Sequence, residues 1–445
     1  MKNLFIDLET ASSVDLAKAG VYRYAEAEDF KILLFSCSVD WGEVKVYDLA
    51  HGDVLPMEIL SALTEKTVIK WAYNCNFERV CLSRFLGYPC GSYIPPEQFR
   101  CVMTWGGTCG LPMSLEAISE VMHLRQGKLD TGKALIRKFC KPGIKLPGRA
   151  DPDWQMFCDY NRRDVEAEME ICQKLAPWPV PEFVWQEFFD SERINDRGIA
   201  IDKKLVRNAI RMSEAVTADL IEQMEKLTGL QNPNSVSQLK WWLQQQGIAV
   251  SSLGKKDVEA LLDRLEFRSE SSEVARERPQ APCMRATEQS EAFSESKKTT
   301  ASHDFGSRSA LSSFRDEFQN EAYGCVAEVL RLRQQLSKSS VKKYQAMEAS
   351  VNADGRVRGM FQFYGANRTG RFASKRIQLQ NLPKNHMEDL DEARALVKAG
   401  DLKALQQRYG DVQDVLSQLV RTAFVPAARS QGSKVARRDD ISLDF

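Results

Sequence analysis

Four carboxylates and one phenol in this chain could hold a divalent cation and handle the water beside it. Asp7 and Glu9 form a D-x-E pair on the opening apolar run. Side chains in a strand alternate with period two, so both acids point to one face, the polar one. Glu78 closes Asn74-Cys-Asn-Phe-Glu78, directly after the apolar run Thr67–Ala72, which puts a third carboxylate at a strand-to-helix junction. Tyr160 and Asp164 stand four apart in Tyr160-Asn-Arg-Arg-Asp164, one helical turn apart on one face. Hard cations such as Mg²⁺ and Mn²⁺ take carboxylate oxygens in preference to sulfur or imidazole. The only histidines, His51, His123, His303 and His386, are far apart, which argues against a zinc site. Taken singly, each element also has a plain structural explanation: a solvated strand edge, an acid at a helix N-terminus, and a solvated helix face.

The elements that must position these groups read as α/β. Strands are expected at Asn3–Leu8, Lys31–Val39, Val44–Leu49 and Thr67–Ala72, with Asp40-Trp41-Gly42-Glu43 as a turn. Helices are expected at Pro56–Leu63, Asn76–Phe85, Ser114–Met122, Thr131–Phe139 and Pro152–Leu175. Ala176-Pro-Trp-Pro-Val-Pro181 marks a boundary, because proline stops helices and stiffens linkers. The chain is then mainly helical: Glu182–Arg197, Lys203–Leu227, Ser235–Gln246, Lys256–Leu265, Glu321–Met347, Met387–Lys398, Asp401–Gln407 and Val412–Thr422. Residues 267–320 are Ser/Glu/Arg-rich without apolar period and read as a disordered insertion. Residues 355–383 form a Gly- and Arg-rich segment. Adjacent Trp241 and Trp242 suit a core helix better than a stacking platform. The Gly-Lys in Thr131-Gly-Lys-Ala134 lacks the rest of a phosphate-binding loop.

Length suggests two or three domains. With 43% hydrophobic residues and no run near ~18 apolar residues, a membrane span is not expected. The start, MKNLFIDLETASS, does not read as a secretion signal, and the 11 cysteines include no CxxC pair. A reduced cytoplasmic compartment is the expectation. The 61 basic and 61 acidic side chains cancel, so any basic surface must be local. From Arg331 to Arg376 there are eleven Lys/Arg against Glu348 and Asp354, an excess of +9 that favours a polyanion contact.

The three acidic elements, in this order and approximate spacing, resemble the exonuclease motifs of the DnaQ-like (DEDD) superfamily in its Tyr-containing branch. The resemblance covers about residues 1–177. It implies a ribonuclease H-like sheet and 3′→5′ phosphodiester hydrolysis with two Mg²⁺ or Mn²⁺ ions. Two such ions about 4 Å apart stabilise both the attacking hydroxide and the leaving oxyanion. On this resemblance Asp7, Glu9 and Asp164 hold the metals, Tyr160 orients the attacking water, and Glu78 completes the set. The second motif normally ends in Asp, so Glu78 carries its carboxylate one methylene further out.

A second resemblance lies in Gly365-Ala-Asn-Arg-Thr-Gly-Arg-Phe-Ala-Ser374 with Gln378-Leu-Gln-Asn-Leu-Pro383. It is similar to the T-G-R…Q-N-L-P motif of family A DNA polymerases of the phage and prophage type. Arg333–Tyr344 is similar to that family's thumb, and Leu416–Pro426 to the approach to its first catalytic strand. The resemblance implies contacts to primer–template DNA, or to a single-stranded DNA 3′ end. Lys338, Lys342 and Lys343 would neutralise phosphates, and Arg368 would be among the DNA-binding residues. Arg371, Gln380 and Asn381 would meet the minor-groove edge.

After Ala-Phe-Val-Pro-Ala the family pattern breaks. The expected architecture is therefore an α/β ribonuclease H-like domain (1–177), a helical thumb-like region (178–347), an incomplete α+β palm (348–428) and an unstructured tail (429–445). The expected protein is a truncated family A DNA polymerase that retains a DNA 3′→5′ exonuclease. It would not polymerise alone, and a separate chain could carry the rest. The rival readings are a non-catalytic primer–template-binding remnant and a ribonuclease D-like RNA exonuclease.

Overall fold

The computed structural model describes residues 1–125, 132–141, 143–270, 324–337, 341–366 and 368–426. It is a mixed α/β structure that divides into two units. One comprises Met1–Lys203, Ala346–Leu382 and the described residues from Thr422. The other comprises Lys204–Gln345 and Pro383–Arg421.

The first unit is built on a five-stranded sheet in the order β3-β2-β1-β4-β5. Its strands are β1 (Asn3–Ala11), β2 (Lys31–Val39), β3 (Lys45–Asp48), β4 (Ile69–Ala72) and β5 (Phe99–Cys101). β1 pairs antiparallel with β2 and parallel with β4, and β4 parallel with β5. The β2–β3 turn places Asp40 and Trp41 at positive φ (46° and 68°), the geometry that matches strand twist in a tight hairpin. Asp40 repays that conformation by accepting the Lys2 and Asn3 amides, both at 2.8 Å.

β1 is the centre of the sheet, and both of its faces are covered. Leu4, Ile6 and Leu8 join one core with Ile59, Leu63 and Val80, whereas Phe5 joins another with Val102, Val165 and Ile171. That explains why β1 carries apolar residues on both of its faces. The polar face carrying Asp7 and Glu9 is therefore covered, not a solvated strand edge. A bulge after Glu9 slips the register, and Leu33 and Leu34 both enter the core formed with Ala11, Phe139, Trp154 and Phe157.

Helices in the first unit run α1 (Leu16–Ala19), α2 (Val21–Ala25), α3 (Met57–Thr64), α4 (Asn76–Phe85), α5 (Val102–Thr108), α6 (Leu115–Val121), α7 (Gly132–Phe139), α8 (Pro152–Leu175) and α9 (Glu182–Arg197). α8 starts with Asp151 accepting the Asp153 and Trp154 amides and with Pro152 in its first turn. It lies across β1 and β2. Its buried stripe runs through Trp154, Phe157, Tyr160, Asn161, Asp164, Val165, Glu168, Ile171, Cys172 and Leu175. The 3.6-residue period brings all of these to one face, and polar groups occupy its middle.

The Gly/Arg-rich segment forms strands. β6 (Ile199–Ala200) pairs with β7 (Arg356–Val357), and β8 (Phe361–Ala366) with β9 (Arg371–Ser374). Asn195 of α9 brackets Phe361, accepting its amide (3.0 Å) and donating to its carbonyl (2.9 Å). Gly198, at φ 59°, is required because a Cβ there would lie 2.5 Å from the Val357 carbonyl oxygen.

Part of the +9 excess is consequently internal, so that only the remaining basic groups can meet a polyanion. Arg358, 3% exposed, bonds Asp354 (2.6 and 2.9 Å) and the Asp196 carbonyl (2.7 Å). Arg356 donates to the Arg197 and Gly198 carbonyls, and Arg376 to those of Arg358 and Gly359.

The second unit is mainly helical, with most of α10 (Lys203–Thr228), α11 (Val236–Gln245), α12 (Lys255–Glu270), α13 (324–336) and the start of α14 (Lys342–Ser350). α15 (Leu390–Ala399), α16 (Leu402–Tyr409) and α17 (Val412–Leu419) complete it. Tyr344 donates to the Leu416 carbonyl at 2.8 Å, and Ser213 to Gln413 at 3.0 Å. In α11 the tryptophan pair splits: Trp242 is core, while Trp241 is 53% exposed. Of the predicted insertion, 267–270 finish α12, while 271–320 lie outside the described residues, as do the tail 429–445 and Lys338. Among the described residues no helix is long and apolar enough to cross a membrane.

Arg79 on α4 is fully buried. It bonds Glu192 (2.9 Å) and Asp196 (2.7 and 2.9 Å) of α9, and the Ile94 carbonyl (3.1 Å). Removing it leaves two carboxylates uncompensated in or beside the interior. Arg79→Ala is expected to cost about 3–5 kcal/mol, read as a lower urea midpoint. Arg149→Ala, at the more exposed pair with Asp53, is expected to leave the urea midpoint close to that of the wild type.

Candidate active site

The structure brings Asp7, Glu9, Glu78, Tyr160 and Asp164 to one place, between the covered face of β1, the first turn of α4 and the middle of α8. Glu9, Glu78 and Asp164 are only 5–8% exposed, and Tyr160 is 2% exposed. Glu78 sits in the first turn of α4, where the dipole favours an acid. The preceding residues of its motif, Asn74, Asn76 and Phe77, instead line a neighbouring cavity of about 280 Å³, with Phe363 and Lys375 among its other walls.

Two polar residues that sequence reasoning missed hold Asp7. Ser36 is its cross-strand partner on β2. The Ser36 hydroxyl donates to Asn161 Oδ1 (2.5 Å), and Asn161 Nδ2 donates to Asp7 Oδ2 (2.5 Å). Asn161 is fully buried, so the relay ties β2, α8 and β1 together at the acid. Glu168 was also missed. It lies one turn beyond Asp164, 1% exposed, and accepts the Tyr73 amide at the end of β4. The legible signal was the spacing Tyr160-x₃-Asp164-x₃-Glu168, which continues the same face.

Tyr160 stacks on Phe157, with ring planes 3° apart, and it is hydrogen-bonded to Asp164. A Cβ at Gly132 would come within 2.3 Å of the Tyr160 ring. The glycine of the rejected Gly-Lys pair thus serves the site by giving the phenol room.

The electrostatics follow from burial and like charge. Glu78 is pushed well above the ordinary carboxyl range by burial, then by Asp7 and, more weakly, by Glu9. Glu168 is raised by burial, then by Glu78 and Asp7. Tyr160 is raised by burial and by Asp164, Glu9 and Asp7, so its phenol keeps its proton at neutral pH.

Among the described residues no group of three or more His, Cys, Asp or Glu is arranged to hold a metal ion. The cluster is an accumulation of negative charge rather than a closed cage. Its donors are nevertheless all hard oxygens, and Glu78 Oε2 and Glu168 Oε1 are buried without a hydrogen-bond partner. This donor set suits Mg²⁺ or Mn²⁺.

The residues expected to meet DNA fall in different units. Arg368, Arg371, Gln380 and Asn381 belong to the first unit, all exposed at the β8–β9 turn, on β9 and just after it. Gln380 is oriented by β9: its side chain accepts the Ser374 hydroxyl (2.5 Å), and its amide donates to Ser374 Oγ (3.3 Å). Lys342, exposed, and Lys343, half-buried, belong to the second unit, and burial lowers the Lys343 pKa.

The chain is 42% identical over 437 residues to "DNA polymerase" of Bacillus phage SP02. The match covers 96% of this chain, which spans 58% of that relative's length. A solved structure, the POL domain of Pol1 from M. smegmatis in complex with DNA primer-template and dNTP, matches with a TM-score of 0.36 at 14% identity. That match covers 87% of this chain and 53% of that one. No family model matches the chain.

Glu78 generates a pH prediction. A carboxyl raised in the folded state binds more protons there than when unfolded, so stability falls as pH climbs from the unfolded pKa towards the folded one. With divalent ions chelated, the wild type should lose stability as pH rises above the ordinary glutamate pKa of about 4.3. Glu78→Gln should lose less and be the more stable protein at the alkaline end, as read by urea unfolding. Parallel curves would refute the coupling.

Proposed function

We propose that the chain is part of a phage-type DNA polymerase, and that its acid cluster is a metal-dependent 3′→5′ exonuclease acting on DNA 3′ ends. The observation that carries this is the convergence of Asp7, Glu9, Glu78 and Asp164, with Tyr160, from β1, α4 and α8. The identity to a phage DNA polymerase over nearly the whole chain supports the DNA substrate. A ribonuclease H-like assignment for the sheet is part of the same reading.

In this mechanism Asp7, Glu9 and Asp164 would hold two Mg²⁺ or Mn²⁺ ions, and Glu78 would add a further acid coupled to Asp7. When bound, the ions activate water and neutralise the leaving oxyanion. Asn161 keeps the Asp7 carboxylate aimed through its hydrogen bond. The protonated Tyr160 orients water rather than acting as a base, since its proton is held by burial and by surrounding anions. Arg368, Arg371, Gln380 and Asn381, with Lys342 and Lys343, grip primer–template DNA, and the helical unit plays the thumb. Because the chain spans 58% of its relative, DNA synthesis is proposed only where further sequence, on the same or a second chain, supplies the remainder.

With a 5′-labelled single-stranded oligodeoxynucleotide and Mg²⁺, the wild type should give a ladder shortening from the 3′ end. Asp7→Ala and Asp164→Ala should each slow it by roughly 10²–10³-fold or more, the scale of removing one electrostatic stabiliser. Gly132→Ala should reduce turnover by displacing the Tyr160 ring while DNA affinity, measured by filter binding, stays near wild type. A wild type that binds the oligonucleotide without shortening it would favour the non-catalytic binding remnant. Faster shortening of RNA than of DNA would favour a ribonuclease.

A further inference from the structure

Beyond the five residues of the motif pattern, α8 places Glu168 in the same dry space. Two turns of helix put Tyr160, Asp164 and Glu168 in one file, and the last of these is the most deeply buried acid of the cluster, 1% exposed. One oxygen of Glu78, Oε2, and one of Glu168, Oε1, are buried without a partner. Each side chain is more than nine-tenths buried; the Asp7 charge acts on both, and that of Glu78 acts on Glu168. Glu168 also accepts the Tyr73 amide, so it grips the chain just ahead of the Asn74–Glu78 segment. In contrast, the deeply buried Glu192 and the half-buried Asp196 are answered by Arg79. Structural burial of a glutamate normally comes with such a counter-charge.

We infer that Glu168 is a fifth functional carboxylate of the acid cluster, a positioning residue that fixes the Tyr73–Glu78 segment and adds negative charge that a divalent cation neutralises. The inference rests on the metal-dependent reading of the site. It also gives the longer Glu78 a partner: the cluster's charge is shared across α4 and α8 rather than concentrated on β1.

The full chain, stripped with chelator, is titrated with Mn²⁺ by calorimetry, and its melting temperature is followed with and without the ion. Glu168→Gln retains an oxygen to accept the Tyr73 amide but removes the charge, so shape and charge are separated. The expected result is Mn²⁺ affinity weakened by about 10-fold or more, the scale for groups that support metal ligands. In the absence of metal the variant should melt near the wild-type temperature, because burial already favours the neutral form of Glu168 and the amide matches it in shape. Glu168→Asp, which keeps the charge, should bind Mn²⁺ more tightly than Glu168→Gln. Unchanged Mn²⁺ affinity in Glu168→Gln, with normal binding by the wild type, would overturn this inference alone. Loss of folding in Glu168→Gln would overturn it as well, since the residue would then be structural. A wild type that binds no Mn²⁺ would overturn the metal-dependent reading itself, and this inference with it.

Discussion

Like-charge repulsion in a place closed to water is the constraint from which the rest of the first unit follows. Carboxylates from three elements meet where little solvent screens them, so each is disfavoured by burial and by the others. Such groups stay together only if the scaffold over-determines their positions. The central strand β1 is covered on both faces, Asn161 bridges Asp7 to Ser36, and Tyr160 is confined between Phe157 and Gly132. The rigidity is the means by which an unfavourable charge arrangement is kept in being.

α4 shows the contrast within two consecutive residues. Glu78 points to acids, and burial leaves one of its oxygens without a partner. Arg79 points the other way, to Glu192 and Asp196, where charge is balanced and hydrogen bonds are numerous. The balanced network anchors the helix to α9, and through Asn195 of α9 the β8 strand that carries Phe361 is held as well. Anchoring on one side lets the same helix carry an unbalanced acid on the other.

Much of this was legible in the residues. The boundaries of β2, α4, α8 and α9 follow from apolar period and from Asp151-Pro152 and Pro181 as start signals. The acids were found by type and spacing. What escaped has physical reasons. β1 looks half-solvated because Asp7 and Glu9 occupy its second face, yet α8 covers that face. α1, α2 and α5 are too short to show a period. The β8–β9 pairing is hidden by Gly365 and Gly370, which read as loop residues. Asn161 and Glu168 look like an ordinary solvated stretch of helix until the neighbouring strand is in place. The basic excess read as a surface because sequence cannot show that Arg358 lies inside, against Asp354.

The central claim is that this cluster is a two-cation hydrolytic centre. It is tested most directly by anomalous diffraction at the manganese edge from crystals of the full chain grown with Mn²⁺. The account predicts two peaks among Asp7, Glu9, Glu78 and Asp164, both lost in Asp7→Ala. A cluster without a peak, in a protein that still shortens DNA from its 3′ end under the same Mn²⁺ concentration, would contradict it.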